Sequence, residues 1–132
     1  MSKQEIKDEH KQMEGDPLVK GRIRQIQMKM SKQRMMADVP DADVVITNPT
    51  HYAVALKYDK EKSDAPIVLA KGINFLALKI KDIALESKIP IVEDPALARA
   101  LYDQVEVEQE IPEGLYKAIA EIFTFVYNLN NK

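Results

Sequence analysis

The segment that decides the fold is VVITNPTHYAVALKY, residues 44–58. Residues 43–47 include a β-branched run, which is typical of a buried strand. From Tyr52 to Tyr58, large apolar or aromatic residues alternate with two alanines and a lysine, and this period of two predicts a second strand with one covered face. Asn48 and Pro49 stand between the two runs. A proline there interrupts the sheet, so this position needs a structural or chemical reason.

Two further strands are predicted downstream of this segment. Residues 67–70 form a short apolar run, which Gly72 is expected to close. Residues 89–92 form another, and Pro90 within it suits a strand start or a sheet edge.

Helical patterns alternate with these strands. Amphipathic spacing predicts one helix that ends near Lys88, and a last helix follows Gly114. Asp94 followed by Pro95 is a helix N-cap followed by a proline at the first helical position. The alternation predicts an α/β fold, a small central four-stranded mixed sheet surrounded by about four helices.

A long N-terminal helix is predicted to complete this arrangement. Asp16 and Pro17 repeat the cap-and-proline signal, and the helix should end before Pro40. Its apolar residues are spaced as a single helical stripe. They are Val19, Ile23, Ile26 and Met30.

The domain organisation follows from this division. Residues 1–15 are strongly polar and are predicted as either a solvated helix or a frayed arm, the second being preferred. We predict an N-terminal polar and basic helical linker at 1–38. Residues 39–132 are predicted to form one compact α/β domain, of a size that a single core supports.

Composition excludes several classes of function. The net charge is −2, from 19 basic and 21 acidic residues, which gives no case for nucleic acid binding. The chain has no cysteine, so disulfides, thiol catalysis and thiolate zinc sites are excluded. His10 and His51 are far apart in sequence, and we expect neither a metal nor a cofactor. The four glycines form no phosphate-binding loop, which argues against a conventional enzyme.

The N-terminal helix contains a basic stretch with no acidic residue inside it. One interpretation is a solvated helix face, as helical charge runs usually are. The other is contact with anionic headgroups or with loops of partner proteins beneath a membrane. The residues are Lys20, Arg22, Arg24, Lys29, Lys32 and Arg34.

Asn48 and Pro49 are the residues with distinctive chemistry. An asparagine usually deamidates when the next backbone nitrogen attacks its side chain. Pro49 has no N–H, so its nitrogen cannot act in this way. The reverse attack remains possible, in which the Asn48 side-chain nitrogen closes on its own carbonyl and expels Pro49. The chain is then cut between these two residues.

The next two residues are candidates to assist. Thr50 can orient the turn through its hydroxyl or N–H, and His51 can take or relay a proton. A fold must lower the barrier by about 4 kcal/mol to shorten a half-life from days to minutes. The alternative interpretation is that Asn48 and Pro49 only form a turn, in a passive interaction module that does not cleave.

The surroundings of this pair resemble a known family. Residues 44–58 closely resemble the C-terminal cytoplasmic domain of the FlhB/YscU/SpaS family of type III export-gate proteins, and the flagellar branch more than the injectisome branch. The likeness covers nearly the whole chain. It includes residues 14–17, 34–36, 65–66, 70–72, 94–95, 97–102, 111–112 and 116–121.

The resemblance implies a site and a function. The catalytic residues are expected to be Asn48, Pro49, Thr50 and His51, with autocatalytic cleavage between the first two. The two pieces are expected to stay associated. Cleavage is expected to permit the flagellar export apparatus to switch from rod and hook substrates to filament substrates.

The resemblance also implies a location and partners. The domain is expected on the cytoplasmic side of the bacterial inner membrane, preceded in the full protein by transmembrane helices. Expected partners are a hook-length control protein, other export-gate and soluble export components, and exported flagellar proteins. Nucleic acid is not expected.

Overall fold

The computed structural model describes residues 16–49 and 51–130, so the prediction for residues 1–15 lies outside the described residues. Within these ranges lie four helices and one four-stranded mixed sheet, which confirms the predicted α/β fold and its long N-terminal helix. In chain order the elements are α1 (Pro17–Asp38), a 3-10 helix (Val39–Asp41), β1 (Val44–Asn48), β2 (Tyr52–Lys57), β3 (Ile67–Ile73), α2 (Asn74–Glu86), β4 (Ile91–Glu93), α3 (Pro95–Gln104), a second 3-10 helix (Glu113–Leu115) and α4 (Tyr116–Asn130).

The chain divides into two units between Arg34 and Met35. Helix α1 begins as predicted, because the N–H of Leu18 donates to Asp16 Oδ1 at 2.9 Å. No residue of α1 is buried, so the predicted apolar stripe faces solvent, and Ile26 is 59% exposed. The domain boundary after residue 38 stays a prediction. In residues 16–49 and 51–130, no helix is both long and apolar enough to cross a membrane.

The sheet has the strand order β3-β2-β1-β4, with β1 antiparallel to β2 and parallel to β4. The fourth strand was predicted at 89–92, but β4 is Ile91–Glu93. The N–H of Ile89 donates instead to the Ala84 carbonyl at 2.9 Å, where it closes the end of α2. Pro90 precedes this edge strand, and its carbonyl accepts from Val45 N–H at 2.9 Å.

Both faces of the sheet are covered, so the prediction of one covered face for β2 is wrong. Ala53 and Ala55, which alternate with the larger residues, are 1% and 0% exposed. Their small side chains face the cluster that includes Ala77, Ile80 and Ala84 of α2. The opposite face packs against α3 and α4. The alternation in β2 therefore reflects two faces that are both covered by helices, and not one face open to solvent.

Strand β3 extends beyond its predicted end. Gly72 was expected to close it, but pairing with β2 continues through Gly72 to Ile73. A Cβ on Gly72 would lie 2.6 Å from Leu76 Cβ, closer than real atoms approach. This glycine therefore marks the close approach of α2 and not a strand end.

Candidate functional site

Asn48 and Pro49 lie at the start of a tight turn between β1 and β2. Asn48 is the last residue of β1, and Tyr52, the first of β2, is its partner across the ladder. The N–H of His51 donates to the Asn48 carbonyl at 3.0 Å, which closes a four-residue turn. Asn48 is half-buried, Pro49 is exposed, and Thr50 lies outside the described residues. The predicted interruption between two strands is thus a hairpin.

The hydrogen bond from His51 falls on a chemically significant atom. In the cyclisation considered above, the carbonyl carbon of Asn48 is attacked, and its oxygen gains negative charge. A donor already aligned with that oxygen stabilises the charge as it develops. The sequence predicted a proton-relaying side chain for His51, but the contact on this oxygen comes from its main-chain N–H. The roles of the four predicted residues stay predictions.

The main chain is held on both sides of the turn. Before it, the Thr47 carbonyl accepts from Asp94 N–H at 2.9 Å. After it, the His51 carbonyl accepts from Asn74 N–H at 3.0 Å. Asp94 also caps α3, since its Oδ1 accepts from Leu97 N–H at 3.2 Å. The beginnings of two helices therefore determine where the two strand ends lie.

Asn74 was not identified from the sequence. It is the first residue of α2 and has a φ of 49°, in the left-handed region that asparagine and glycine tolerate best. The available signal was an asparagine close after Gly72, where the strand passes directly into a helix. A sequence pattern for a strand-to-helix junction does not reveal that the junction lies beside the turn.

A groove opens beside the turn. It holds about 450 Å³ and lies between the β1–β2 hairpin and the first turns of α2. Phe75 and Leu78 are exposed within it. The lining residues are Thr47, Asn48, Pro49, Tyr52, Ala53, Asn74, Phe75, Ala77, Leu78 and Lys81.

On the other face of the sheet, an aromatic pair holds the start of β2. The ring centroids of Tyr52 and Tyr102 are 5.3 Å apart. The Nζ of Lys71 lies 4.8 Å from the centre of the Tyr102 ring, and it donates to the Tyr102 carbonyl at 2.9 Å. Glu106 Oε1 is 3.5 Å from the same Nζ. These contacts fix α3 against β2 and β3 next to the turn.

Known proteins resemble the chain throughout its length. It is 58% identical over 132 residues to "Flagellar biosynthetic protein FlhB" of Bacillus subtilis (strain 168), and it spans 37% of that relative's length. The cytoplasmic domain of FlhB from Shewanella putrefaciens has the same fold, with a TM-score of 0.73 and 49% identity. That alignment covers 75% of this chain and 76% of the other.

More distant relatives share the fold and the spacing of the site. A mutated EscU C-terminal domain matches with a TM-score of 0.67 and 29% identity, over 70% of this chain and 92% of the other. EscU domains have been crystallised with alanine in place of an asparagine, of the proline directly after it, and of a histidine two positions beyond that proline. Asn48, Pro49 and His51 have the same spacing.

A family model matches nearly the whole chain. The model described as the FlhB HrpN YscU SpaS Family matches residues 1–126. Together with the relatives above, this match leads to one conclusion: the chain belongs to the FlhB HrpN YscU SpaS family.

Proposed function

We propose that the chain cuts its own backbone once, between Asn48 and Pro49. The Nδ2 of Asn48 attacks the Asn48 carbonyl carbon, and a succinimide forms. The C–N bond to Pro49 breaks, and a proton passes from Nδ2 to the proline nitrogen, which becomes a new N-terminus. The observation that carries the proposal is the 3.0 Å hydrogen bond from His51 N–H to the Asn48 carbonyl oxygen.

The reduction in activation free energy that the fold must provide is modest. Shortening a half-life from days to minutes takes about 4 kcal/mol, and one preorganised donor to an oxyanion supplies roughly 2.7–4 kcal/mol. One neutral backbone donor within the hairpin is therefore enough, and cleavage needs no external catalyst. The spacing that this site shares with the substituted EscU residues supports the same assignment.

Denaturing mass analysis of the purified chain tests the cleavage. We expect two fragments, residues 1–48 and 49–132, from the parent and one intact species from an Asn48→Ala variant. Fragments ending at Asp16 or Asp94 would indicate acid damage at Asp-Pro bonds. A parent chain that stays intact for weeks at neutral pH would overturn the proposal and favour the passive interaction module.

We propose that the two pieces stay together after the cut. Residues 1–48 contribute β1, which pairs with β2 on one side and with β4 on the other. Val44, Val45 and Ile46 are fully buried. Removing this strand would expose two rows of backbone groups and a large apolar area. Native gel filtration should therefore show both fragments in one peak, and separate elution would contradict it.

We propose that the domain acts as a switch on the cytoplasmic side of the bacterial inner membrane, in the flagellar type III export apparatus. Cleavage would permit the change from rod and hook substrates to filament substrates. The FlhB relatives support this function. Proposed partners are a hook-length control protein, other export-gate and soluble export components, and exported flagellar proteins.

A switch requires different affinities in its two states. The cut creates a new C-terminus at Asn48 and a new N-terminal amine at Pro49. Both residues line the groove beside the turn. Binding of each partner to the cut parent and to the uncut Asn48→Ala variant should therefore differ. Equal affinity of the two forms for every partner would exclude the switch, because cleavage could then not change which partner is bound.

We also propose that α1 contacts an anionic membrane surface. All six basic residues named above are exposed, and so is the apolar stripe at Ile23 and Ile26. Basic residues near an anionic surface contribute about 1 kcal/mol each, so Arg22→Gln with Arg24→Gln should weaken binding to phosphatidylserine vesicles roughly thirtyfold. Lys60→Gln with Lys62→Gln is the matched control in a loop. Vesicle binding that does not weaken as the salt concentration rises would contradict the contact, and so would an equal loss of affinity in the control variant.

A further inference from the structure

The junction between β3 and α2 lies directly beside the proposed cleavage turn. Ile73, the last residue of β3, pairs with Tyr52. One residue later, Asn74 N–H donates to the His51 carbonyl at 3.0 Å. This bond continues the β2–β3 ladder into the turn, although Asn74 already belongs to α2.

His51 is therefore held through both of its main-chain groups. Its carbonyl accepts from Asn74, and its N–H donates to the Asn48 carbonyl, each at 3.0 Å. The two bonds lie on the peptide groups that flank the His51 Cα, so together they restrain the backbone of this residue on both sides. The bond from its N–H ends on the oxygen where charge would develop.

The backbone of Asn74 has an unusual conformation that this arrangement needs. Ile73 is extended, with φ −119° and ψ 156°, and Asn74 then turns at φ 49° into the helix. A β-branched residue resists a positive φ, whereas asparagine and glycine accept it. Asn74 is exposed, so a substitution there changes the backbone preference without opening a cavity in the core.

We propose that Asn74 is a positioning residue for self-cleavage. By turning in the left-handed region, it directs its N–H to His51 and keeps the His51 N–H on the Asn48 carbonyl. The proposal rests on the cleavage proposed above. It adds a residue 26 positions downstream of Asn48 that controls the rate of the reaction and takes no part in bond breaking.

The first test is the rate of cleavage of the full chain after cell-free synthesis. Asn74→Val should slow cleavage roughly tenfold, because valine disfavours positive φ. Asn74→Gly, which accepts that conformation, should restore the parent rate to within about threefold. Lys88→Val is the matched control, because Lys88 has a φ of 59° at the other end of α2. It imposes the same conformational conflict away from the turn and should leave the rate unchanged.

The second test is amide hydrogen exchange in the uncut Asn48→Ala background. Asn74→Val should accelerate exchange of the His51 N–H by about tenfold or more, whereas Lys88→Val should not. Cleavage of Asn74→Val at the parent rate, or equal slowing by Lys88→Val, would overturn the positioning role and leave the proposed function standing. A parent chain that never cleaves would overturn both, and the exchange measurement would then report only whether Asn74 holds the turn.

Discussion

Asn48-Pro49 and Asp94-Pro95 are similar dipeptides in two different settings. At Asp94 the side chain accepts from Leu97 N–H at 3.2 Å, and the proline begins helix α3. At Asn48 the proline follows the end of a strand, and the main-chain carbonyl accepts from His51. When a helix follows, the short polar side chain is used to cap it. When a hairpin follows, the fold organises the carbonyl that a side-chain nucleophile would attack.

The two sites are also neighbours. Asp94 N–H donates to the carbonyl of Thr47, the residue before Asn48. The helix cap at one site therefore helps to hold the strand end at the other. Exchanging features between the sites tests whether the setting or the dipeptide controls the chemistry.

The largest effect is expected when the amide is moved to the helix cap. Asp94→Asn, in an Asn48→Ala chain, places an asparagine before Pro95 and preserves capping, because asparagine caps as well as aspartate. We expect cleavage there to be at least roughly a hundredfold slower than at Asn48 in the parent. Denaturing mass analysis over one week checks this. Fragments 1–94 and 95–132 would mean that the dipeptide suffices without the hairpin.

Removing the proline should have an effect of similar size. Pro49→Ala restores an N–H after Asn48, so the competing attack on the side chain becomes available, and chain cleavage should fall roughly a hundredfold. Deamidation, detected as a gain of about 1 Da, should appear in its place. Pro95→Ala is the matched control and should leave the cut at Asn48 unchanged. Undiminished cleavage in Pro49→Ala would contradict the role of the missing N–H.

A smaller effect is expected where α2 meets β3. Gly72→Ala should lower the free energy of unfolding by about 1–3 kcal/mol, because the new Cβ would lie 2.6 Å from Leu76 Cβ. Gly114→Ala is the control, with nothing within 4 Å of the new Cβ, and it should change stability by less than about 0.5 kcal/mol. Urea unfolding of both variants in the uncut background measures the difference. Equal stabilities would show that α2 adjusts freely at this junction.

The smallest effect concerns the cap itself. Asp94→Ala removes the side-chain acceptor for Leu97 N–H and should cost about 1 kcal/mol of stability, whereas Asp94→Asn should cost almost nothing. Since the main-chain N–H to Thr47 persists, cleavage at Asn48 should stay within about threefold of the parent. Thermal unfolding and the cleavage time course provide the two readouts. A large loss of cleavage would mean that the Asp94 side chain also supports the turn.

The sequence predicted the elements well where local chemistry determines them. Asp16 and Asp94 cap their helices as expected, since a short acceptor before a proline has a local partner two or three residues on. Two strands on either side of Asn48 and Pro49 were likewise expected from two apolar runs, and the structure shows that they pair as a hairpin. Errors occurred where burial depends on another element. Gly72 was interpreted as a strand end, and the alanines of β2 as an open face, because local sequence predicts the helix α2 but not the surface on which it packs.

The candidate site shows the same division. Asn48 and Pro49 are recognisable from their chemistry alone, since the missing N–H of proline is a property of the residue. Asn74 is not recognisable, because its importance depends on a hydrogen bond to His51 across 23 residues of chain.

What the sequence determined by itself is the order of strands and helices, the caps, the family resemblance and the reactive dipeptide. These depend on intrinsic residue properties and on neighbours a few positions away. Only the tertiary structure decided that the Asn48 carbonyl has a donor from His51, that Asn74 and Asp94 hold the two strand ends, and that both sheet faces are covered. The contacts of Asn74 and Asp94 and the covered faces depend on distances between elements far apart in the chain, which exist only once the helices have packed on the sheet. The bond from His51 to Asn48 is local, but it belongs to a turn that the pairing of β1 with β2 defines.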